Sequence, residues 1–306
     1  MSLNVAVTGA NGYTGRFVAG ELLRQGHAVR NLTAHPNRPS GLPRMSVHPL
    51  DFADAGSLDK ALAGADALVN TYWVRLPPDG HTYDEAVRNT ERLATAARRA
   101  GVRRIVHVSV ARAGDSELPY YRGKARAEDA VRASGVPAAI VRPAVLFGGG
   151  DVLINNIAWV LRHLPVFGVP GDGRYPVQPV HVEDHAVLIA GLVVNDDDGI
   201  HDSLGPERYT FEELVRMVRW GIGSHALVLR MPPLLAQLGA SGMGLLLRDA
   251  LMTPSELDAL MDGLLATDAA PTGTTSLAQW LRSERGEVGR HYASDAKRHV
   301  PSTAAS

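Results

Sequence analysis

Tyr120 and Lys124 stand four residues apart in Leu118-Pro119-Tyr120-Tyr121-Arg122-Gly123-Lys124-Ala125, so on a helix they share a face. A lysine ammonium beside a phenol favours the phenolate and lowers the tyrosine pKa. The hydroxyl then becomes a usable proton donor or acceptor near neutral pH. Beside a nicotinamide such a pair is the acid/base half of a hydride-transfer site. The same spacing also describes an ordinary exposed helix face, so the pair takes its meaning from the elements that position it.

Those elements begin at residue 3. Leu3-Asn4-Val5-Ala6-Val7-Thr8 is an apolar, β-branched run that stops at Gly9-Ala10-Asn11-Gly12-Tyr13-Thr14-Gly15-Arg16. It then passes into a helix-period pattern with Phe17, Leu22 and Leu23 on one face. Strand, glycine loop and helix N-terminus suit a pyrophosphate, because the first helical amides are unpaired and the dipole is positive there. Gly9 suits the tight turn, Gly12 leaves room for phosphate, and Gly15 lets the helix pack close to the strand. The spacing Gly-x-x-Gly-x-x-Gly is one residue longer in its first step than the Gly-x-Gly-x-x-Gly fingerprint. Asn11, Tyr13 and Arg16, interleaved with the glycines, are candidate cofactor contacts.

Residues 27–34 read as a second strand, whose end selects the cofactor. A site for NAD places an acid there to accept from the ribose 2′-hydroxyl, and a site for NADP places a cation. No acid occurs between Gly26 and Leu50, whereas Arg30, His35 and Arg38 do, with Arg16 beyond the glycine loop. NADP(H) is therefore expected over NAD(H), with His35 and Arg38 as candidate contacts; the alternative is that these cations touch only water. Asp51, closing a third strand beside Phe52, could accept from the adenine amino group or cap the following turn. A fourth strand, 66–71, ends in Asn70 and Thr71 at the carboxyl edge, where such sheets place ligands, and the loop 73–81 follows.

Helices over 57–62, 83–100 and 120–133 alternate with these strands and with a fifth over 103–109. The alternation predicts an α/β fold, a doubly wound parallel sheet of Rossmann type with a smaller C-terminal substrate lobe. The core is expected over 1–150 with 175–205 returning to it, and the lobe over 151–174 and 206–306. In that lobe 155–163 reads as a helix and 199–205 as a strand. Thr210 and Thr253, each with Glu three residues on, read as capping boxes. Residues 268–275 read as a linker, 276–287 as a last helix and 300–306 as a disordered tail. The uncharged run 232–247, with two prolines and three glycines, reads as a buried or substrate-covering helix and falls short of a membrane span. His181, Glu183, Asp184 and His185 fit a helix start better than a metal site, and no metal is expected. Arg98, Arg99, Arg103 and Arg104 flank Gly101 and read as a solvated helix end.

The glycine spacing together with Tyr120-x-x-x-Lys124 after strand five resembles the short-chain dehydrogenase/reductase superfamily, in its extended or atypical branch. The wording is closest to the group containing the accessory NADPH-binding subunit of mitochondrial complex I, through Val106-His107-Val108-Ser109, Tyr120-Tyr121-Arg122-Gly123-Lys124-Ala125, Gln178-Pro179-Val180-His181-Val182 and Leu204-Gly205-Pro206-Glu207-Arg208-Tyr209. The resemblance covers residues 1 to about 225. It implies that Gly9, Gly12 and Gly15 face the pyrophosphate, that Asp51 faces the adenine, that Lys124 holds the nicotinamide ribose and that Tyr120 is the acid/base. It also implies a Ser or Thr just beyond strand five to hydrogen-bond a substrate carbonyl. That place falls near Ala111, and Ser109 substitutes only if the turn brings it forward; loss of such a donor typically costs about two to four orders of magnitude in rate. A homodimer through the helices 83–100 and 120–133 is a further implication.

The chain of 306 residues is 45% hydrophobic and 21% charged, with a net charge of −1, so no global field recruits nucleic acid or anionic membrane. It has no cysteine, which removes disulfides, thiolate metal ligands and cysteine nucleophiles together. The first residues lack the basic and apolar segments of a signal peptide, so a cytoplasmic location is expected. The leading function is an NADP-dependent oxidoreductase acting on a small carbonyl, hydroxyl or enone substrate. The alternatives are a structural or sensor protein that binds NADPH without turnover, and a redox-neutral epimerase or cyclase.

Overall fold

Val5, Ala6 and Val7 are all fully buried, yet alternate residues enter different cores. A strand buried on both faces in this way belongs inside a parallel sheet with helices on each side. In the computed structural model, which describes residues 2–38, 41–42, 44–74, 82–247 and 253–294, that sheet is built from one of two units. The first comprises the chain up to Pro143 together with Glu183–Ser203; the second comprises Ala144–Val182 and the chain from Leu204 on.

The elements run β1 (Asn4–Thr8), α1 (Tyr13–Arg24), β2 (Ala28–Thr33), β3 (Met45–Pro49), α2 (Ala55–Leu62), β4 (Ala67–Asn70), α3 (Tyr83–Arg99), β5 (Arg104–Val108), α4 (Pro119–Ala133) and β6 (Ala138–Pro143). The chain then makes β7 (Val145–Phe147), α5 (Leu153–His163), β8 (Val166–Pro170), β9 (Pro176–Val177) and β10 (Pro179–His181) before α6 (Val182–Val194) and β11 (Gly199–Ser203). The sheet order is β11-β6-β5-β4-β1-β2-β3, with every neighbouring pair parallel. Successive strands run outward from β1 in one direction and from β4 in the other. The crevice between the carboxyl ends of β1 and β4 is therefore the topological switch point, where such sheets bind ligands.

Each face is closed by helices. Val5, Val7, Val69, Val106 and Val141 pack with Val18 and Leu22 of α1 and Ile189 and Val193 of α6. Ala6, Leu68, Ile105 and Ile140 pack with Leu58 and Leu62 of α2, Leu93 of α3 and Val131 of α4. Each large apolar side chain so buried contributes about 1.5–3 kcal/mol. Helix ends follow local chemistry: Thr82 caps α3 by accepting from the Glu85 amide, and Gly101, at φ 72°, follows its end.

Within the arginine cluster Arg98, Arg99 and Arg103 are exposed, as a solvated helix end requires, and Arg104 departs from that reading. Arg104 is 6% exposed. Its guanidinium donates to the Leu192 carbonyl at 2.5 Å, to the Asp198 carboxylate at 2.7 Å and to the Asp197 carbonyl, closing the carboxyl end of α6. A cation at a helix C-terminus meets the negative end of the dipole, which offsets its desolvation.

In the second unit β7 pairs with β10, so residues 144–150 and 175–182, read above with the sheet, lie outside the seven-stranded ladder. Next come β12 (Tyr209–Thr210), α7 (Phe211–Ile222), β13 (Leu227–Met231), α8 (Pro233–Leu247), α9 (Pro254–Met261) and α10 (Leu277–Ser283). Both capping boxes form, Thr210 with Glu213 and Thr253 with Glu256. The run 268–275 is no free linker, because the Thr272 and Gly273 amides both donate to the Leu204 carbonyl, at 3.0 and 2.8 Å. Nor is the uncharged helix α8 buried along its first turns, where Leu234, Leu235 and Leu238 are 69, 55 and 59% exposed. Among the described residues no helix is long and apolar enough to cross a membrane. The expected loop over 75–81 and the tail over 300–306 lie outside the described residues.

Candidate active site

The glycine loop is held by its own backbone. Gly9 is left-handed at φ 62°; its amide donates to the Leu32 carbonyl at 2.8 Å and its carbonyl accepts from the Gly12 amide at 2.7 Å. A Cβ at Gly15 would collide with that carbonyl, and one at Gly12 would lie 3.0 Å from it. The Asn31 Oδ1 on β2 accepts from the Ala10 amide at 3.0 Å and fixes the loop's height. Helix α1 starts at Gly12 with no side-chain cap and no acid in its first turn. Helices α2, α3, α7, α9 and α10 each carry a side-chain cap, while the N-cap residues of α4 and α5, like that of α1, supply none. A cradle that a Cβ would fill, ending in first-turn amides without a side-chain cap, fits a dinucleotide pyrophosphate.

Asn11, Arg16 and Arg38 line one cleft of about 820 Å³ together with Glu21, Arg24 and Glu183. Arg16 lies over the Phe17 ring, its guanidinium carbon 4.9 Å from the centroid. The two arginines thus meet in one place although twenty-two residues separate them in sequence. His35 is exposed, with its amide donating to Thr33 Oγ1 at 3.1 Å, and it does not line the cleft. Arg30 is committed elsewhere: it donates to the Ala61 and Ala63 carbonyls at 2.7 and 2.9 Å and closes the end of α2. Asp51 Oδ1 accepts from the Ala53 amide at 2.8 Å, which is the turn-capping role. Beside it the Phe52 ring packs on Tyr72, centroids 4.6 Å apart.

Asn70 and Thr71 close the crevice by tying three strands together. Thr71 Oγ1 donates to the Thr8 carbonyl at 2.5 Å, and Thr8 Oγ1 accepts from the Thr71 and Tyr72 amides at 2.8 and 3.0 Å. Asn70 Oδ1 accepts from the Tyr72 amide at 3.1 Å, so its Nδ2 must donate to His107 Nδ1 at 3.0 Å. That assignment leaves the His107 proton on Nε2. Burial holds the His107 pKa down at about 3, so the imidazole is neutral. Asn70 is thereby a buried strut of the cofactor crevice.

Helix α4 begins with Pro119, pre-set for a first helical position, and Tyr120 and Lys124 follow one turn apart. Lys124 is 3% exposed; its Nζ donates to the Val108 carbonyl at 3.1 Å and lies 4.5 Å from the centroid of the Trp73 ring. Burial pushes the Lys124 pKa down to about 7, while Glu128 pulls it back up. Trp73, Tyr83 and Tyr120 form a three-ring cluster with centroid separations of 6.0, 6.0 and 5.9 Å, Trp73 and Tyr83 parallel and Tyr120 edge-on to both. Gly123 makes this possible, since its Cβ would lie 3.1 Å from Tyr83 and 3.2 Å from Trp73.

Ser109 is not brought forward into this cluster. Its hydroxyl donates to Glu128 Oε1 at 2.5 Å, and Glu128, 1% exposed, is also gripped by Arg142 at 2.8 and 2.6 Å and by Arg132 at 3.1 Å. Ala111 is buried and offers only its amide, which donates to the Pro143 carbonyl at 2.8 Å. Sequence reasoning missed two residues here, Trp73 and Glu128. A glycine inside the helix between Tyr120 and Lys124 was the available signal for the first, because a mid-helix glycine marks a close approach. Nothing in the spacing marked the second.

Residues 9–154 match the family described as NAD(P)H-binding. A (4-alkanoyl-5-oxo-2,5-dihydrofuran-3-yl)methyl phosphate reductase of Streptomyces griseus is 34% identical over 217 residues, 68% of this chain and 70% of the relative. The chain belongs to the NAD(P)H-binding family. Its cofactor is accordingly a nicotinamide dinucleotide, and the fold is of oxidoreductase type. The mitochondrial 40 kDa subunit of the Neurospora crassa NADH-ubiquinone oxidoreductase is 28% identical over 222 residues, 69% of this chain. The chain spans 58% of that relative's length. The family's fold is also that of an NADPH-dependent quinone oxidoreductase of Escherichia coli in complex with NADPH, with a TM-score of 0.77 at 20% identity, covering 91% of this chain and 99% of the other.

Proposed function

We propose that the chain is an NADPH-dependent oxidoreductase of small carbonyl, hydroxyl or enone compounds, with Tyr120 as its acid/base. The observation that carries this reading is Lys124, buried and hydrogen-bonded to Val108 one turn from Tyr120, on the helix that follows β5. The Streptomyces griseus reductase among its relatives supports it. The bound nicotinamide would supply the hydride. Tyr120 then donates its proton to the carbonyl oxygen as the C=O electron pair moves onto it, and takes a proton from the hydroxyl in the reverse direction. By the family resemblance, the Lys124 ammonium favours the Tyr120 phenolate and holds the ribose hydroxyls. Gly9, Asn11, Gly12, Tyr13 and Gly15 cradle the pyrophosphate, and Asp51, Phe52, Asn70 and Thr71 border the adenosine side and the crevice. Assembly as a homodimer through α3 and α4 is part of the same proposal.

The preference for NADPH rests on Arg16 and Arg38 sharing one cleft with no acid at the end of β2. Arg38→Ala is expected to weaken NADPH about 10- to 100-fold, the worth of a hydrogen bond to a charged group, and to leave NADH unchanged. Calorimetric titration of both cofactors checks this, and an equal loss for both would remove the 2′-phosphate role.

A second reading, an NADPH-binding structural protein without turnover, is favoured by one specific observation. Ser109 is spent on Glu128 and Ala111 has no side-chain donor, so the carbonyl-binding contact is missing from its family position. The two readings part in a single assay. The purified chain with NADPH is offered a panel of quinones, enones, aldehydes and ketones while NADPH absorbance is followed. Turnover with readily exchanging cofactor supports the oxidoreductase; co-purified NADP(H) that neither exchanges nor oxidises supports the structural protein.

A further inference from the structure

We infer that Trp73 is a positioning residue for Lys124, its indole face holding the ammonium where Tyr120 and the cofactor ribose need it. The inference rests on the roles proposed above for Tyr120 and Lys124.

Three independent features converge on this one side chain. The Lys124 Nζ stands 4.5 Å from the Trp73 centroid, well inside the range of a cation–π contact, and indole has the strongest face among the aromatic side chains. Trp73 follows the end of β4, and its ring edge rests on Gly123, where any Cβ would press at 3.2–3.3 Å against the ring. The parallel Tyr83 ring from α3 and the perpendicular Tyr120 ring complete its support, so the indole has little freedom to turn. Its Nε1 is buried and makes no hydrogen bond among the described residues. The position therefore uses the face of the ring and not its N–H, and a phenylalanine preserves the contact in weaker form.

The ammonium needs such help because little else around it compensates its burial. From α4, Glu128 lies one turn on and Tyr120 one turn back. From β5 come the Val108 carbonyl and His107, which is neutral with its Nε2 also lacking a partner among the described residues. From α3 comes Tyr83, through the Trp73 ring. Glu128 is shared with Ser109, Arg132 and Arg142, which draw its charge away from Lys124. With burial holding Lys124 near neutrality, at about 7, a modest change in the stability of its cation moves its charge state at working pH. The sign is definite: the ammonium is present below that pKa and lost as pH rises through it. Removing the indole face disfavours the cation and moves the loss to lower pH.

The test measures NADPH affinity by calorimetry from about pH 6 to pH 8.5, which requires no substrate. Lys124→Met serves as the baseline that removes the ammonium, so the titration of the cofactor phosphates cancels. Relative to that baseline, the wild-type chain should lose its advantage as pH rises through the Lys124 titration. Trp73→Leu should shift that loss about 0.5–1.5 pH units lower, and Trp73→Phe should lie between the two. Trp73→Phe keeps the ring in its seat, so its result stands even where Trp73→Leu fails to fold. A wild-type pH profile in Trp73→Phe and Trp73→Leu, with the advantage over Lys124→Met intact, would overturn the inference while leaving the reading of Lys124. Wild-type affinity in Lys124→Met would overturn both together.

Discussion

Tyr120→Phe is expected to lower the turnover number by about two to four orders of magnitude while changing NADPH affinity by no more than a few-fold. The range is that of a positioned general acid removed without loss of shape. Phenylalanine keeps the ring that packs edge-on against Trp73 and Tyr83, so the aromatic cluster and the seat of Lys124 survive. What disappears is the hydroxyl alone. The measurement is single-turnover oxidation of NADPH with the best substrate of the carbonyl and enone panel, paired with calorimetric binding of NADPH. Full activity in the variant would dismiss Tyr120 as acid/base. An activity loss matched by an equal loss of cofactor affinity would make it a binding residue.

Glu128→Ala should strongly destabilise the first unit. Its carboxylate is 1% exposed and satisfies the Ser109 hydroxyl and the Arg142 guanidinium, whose own side chain is only 17% exposed. Truncation leaves a nearly buried cation and a buried hydroxyl without their partner, a situation that costs about 3–5 kcal/mol. The melting temperature should fall by on the order of 10 °C. A double variant, Glu128→Met with Arg142→Met, should recover much of that loss, because burying an apolar pair of similar volume needs no compensation. A drop of under about 2 °C in Glu128→Ala would show that Arg142 finds another partner. The same network explains why Ser109 is not offered to the Tyr120 cluster: its proton is committed to the Glu128 carboxylate.

Legibility divides by range of interaction. The glycine loop, the alternation of strand and helix and both capping boxes were plain in the chain, because each depends on residues within a few positions of one another. Gly9, Gly12 and Gly15 answer to backbone sterics inside one turn, and Thr210 with Glu213 closes its own helix end. Arg104 and Arg30 went the other way. Arg104 read as part of a solvated helix end and Arg30 as one of the cations that select the cofactor, yet one closes α6, eighty-eight residues along the chain, and the other closes α2. The 268–275 segment read as a linker from its Pro, Gly and Thr content, but composition carries no word of the Leu204 carbonyl that pins it.

From the sequence alone came the parallel α/β fold, the nicotinamide dinucleotide as ligand, and Tyr120 with Lys124 on one helical face. These follow from periodicity and from the conformational freedom of glycine, which act locally. Only the tertiary structure decided that Arg16 and Arg38 share a cleft, that Ser109 belongs to Glu128, and that Trp73 lies over Lys124. Each of these joins side chains from different elements. A hydrogen bond or a cation–π contact depends on ångström distances that sheet order and helix packing set, and residue spacing along the chain does not record them.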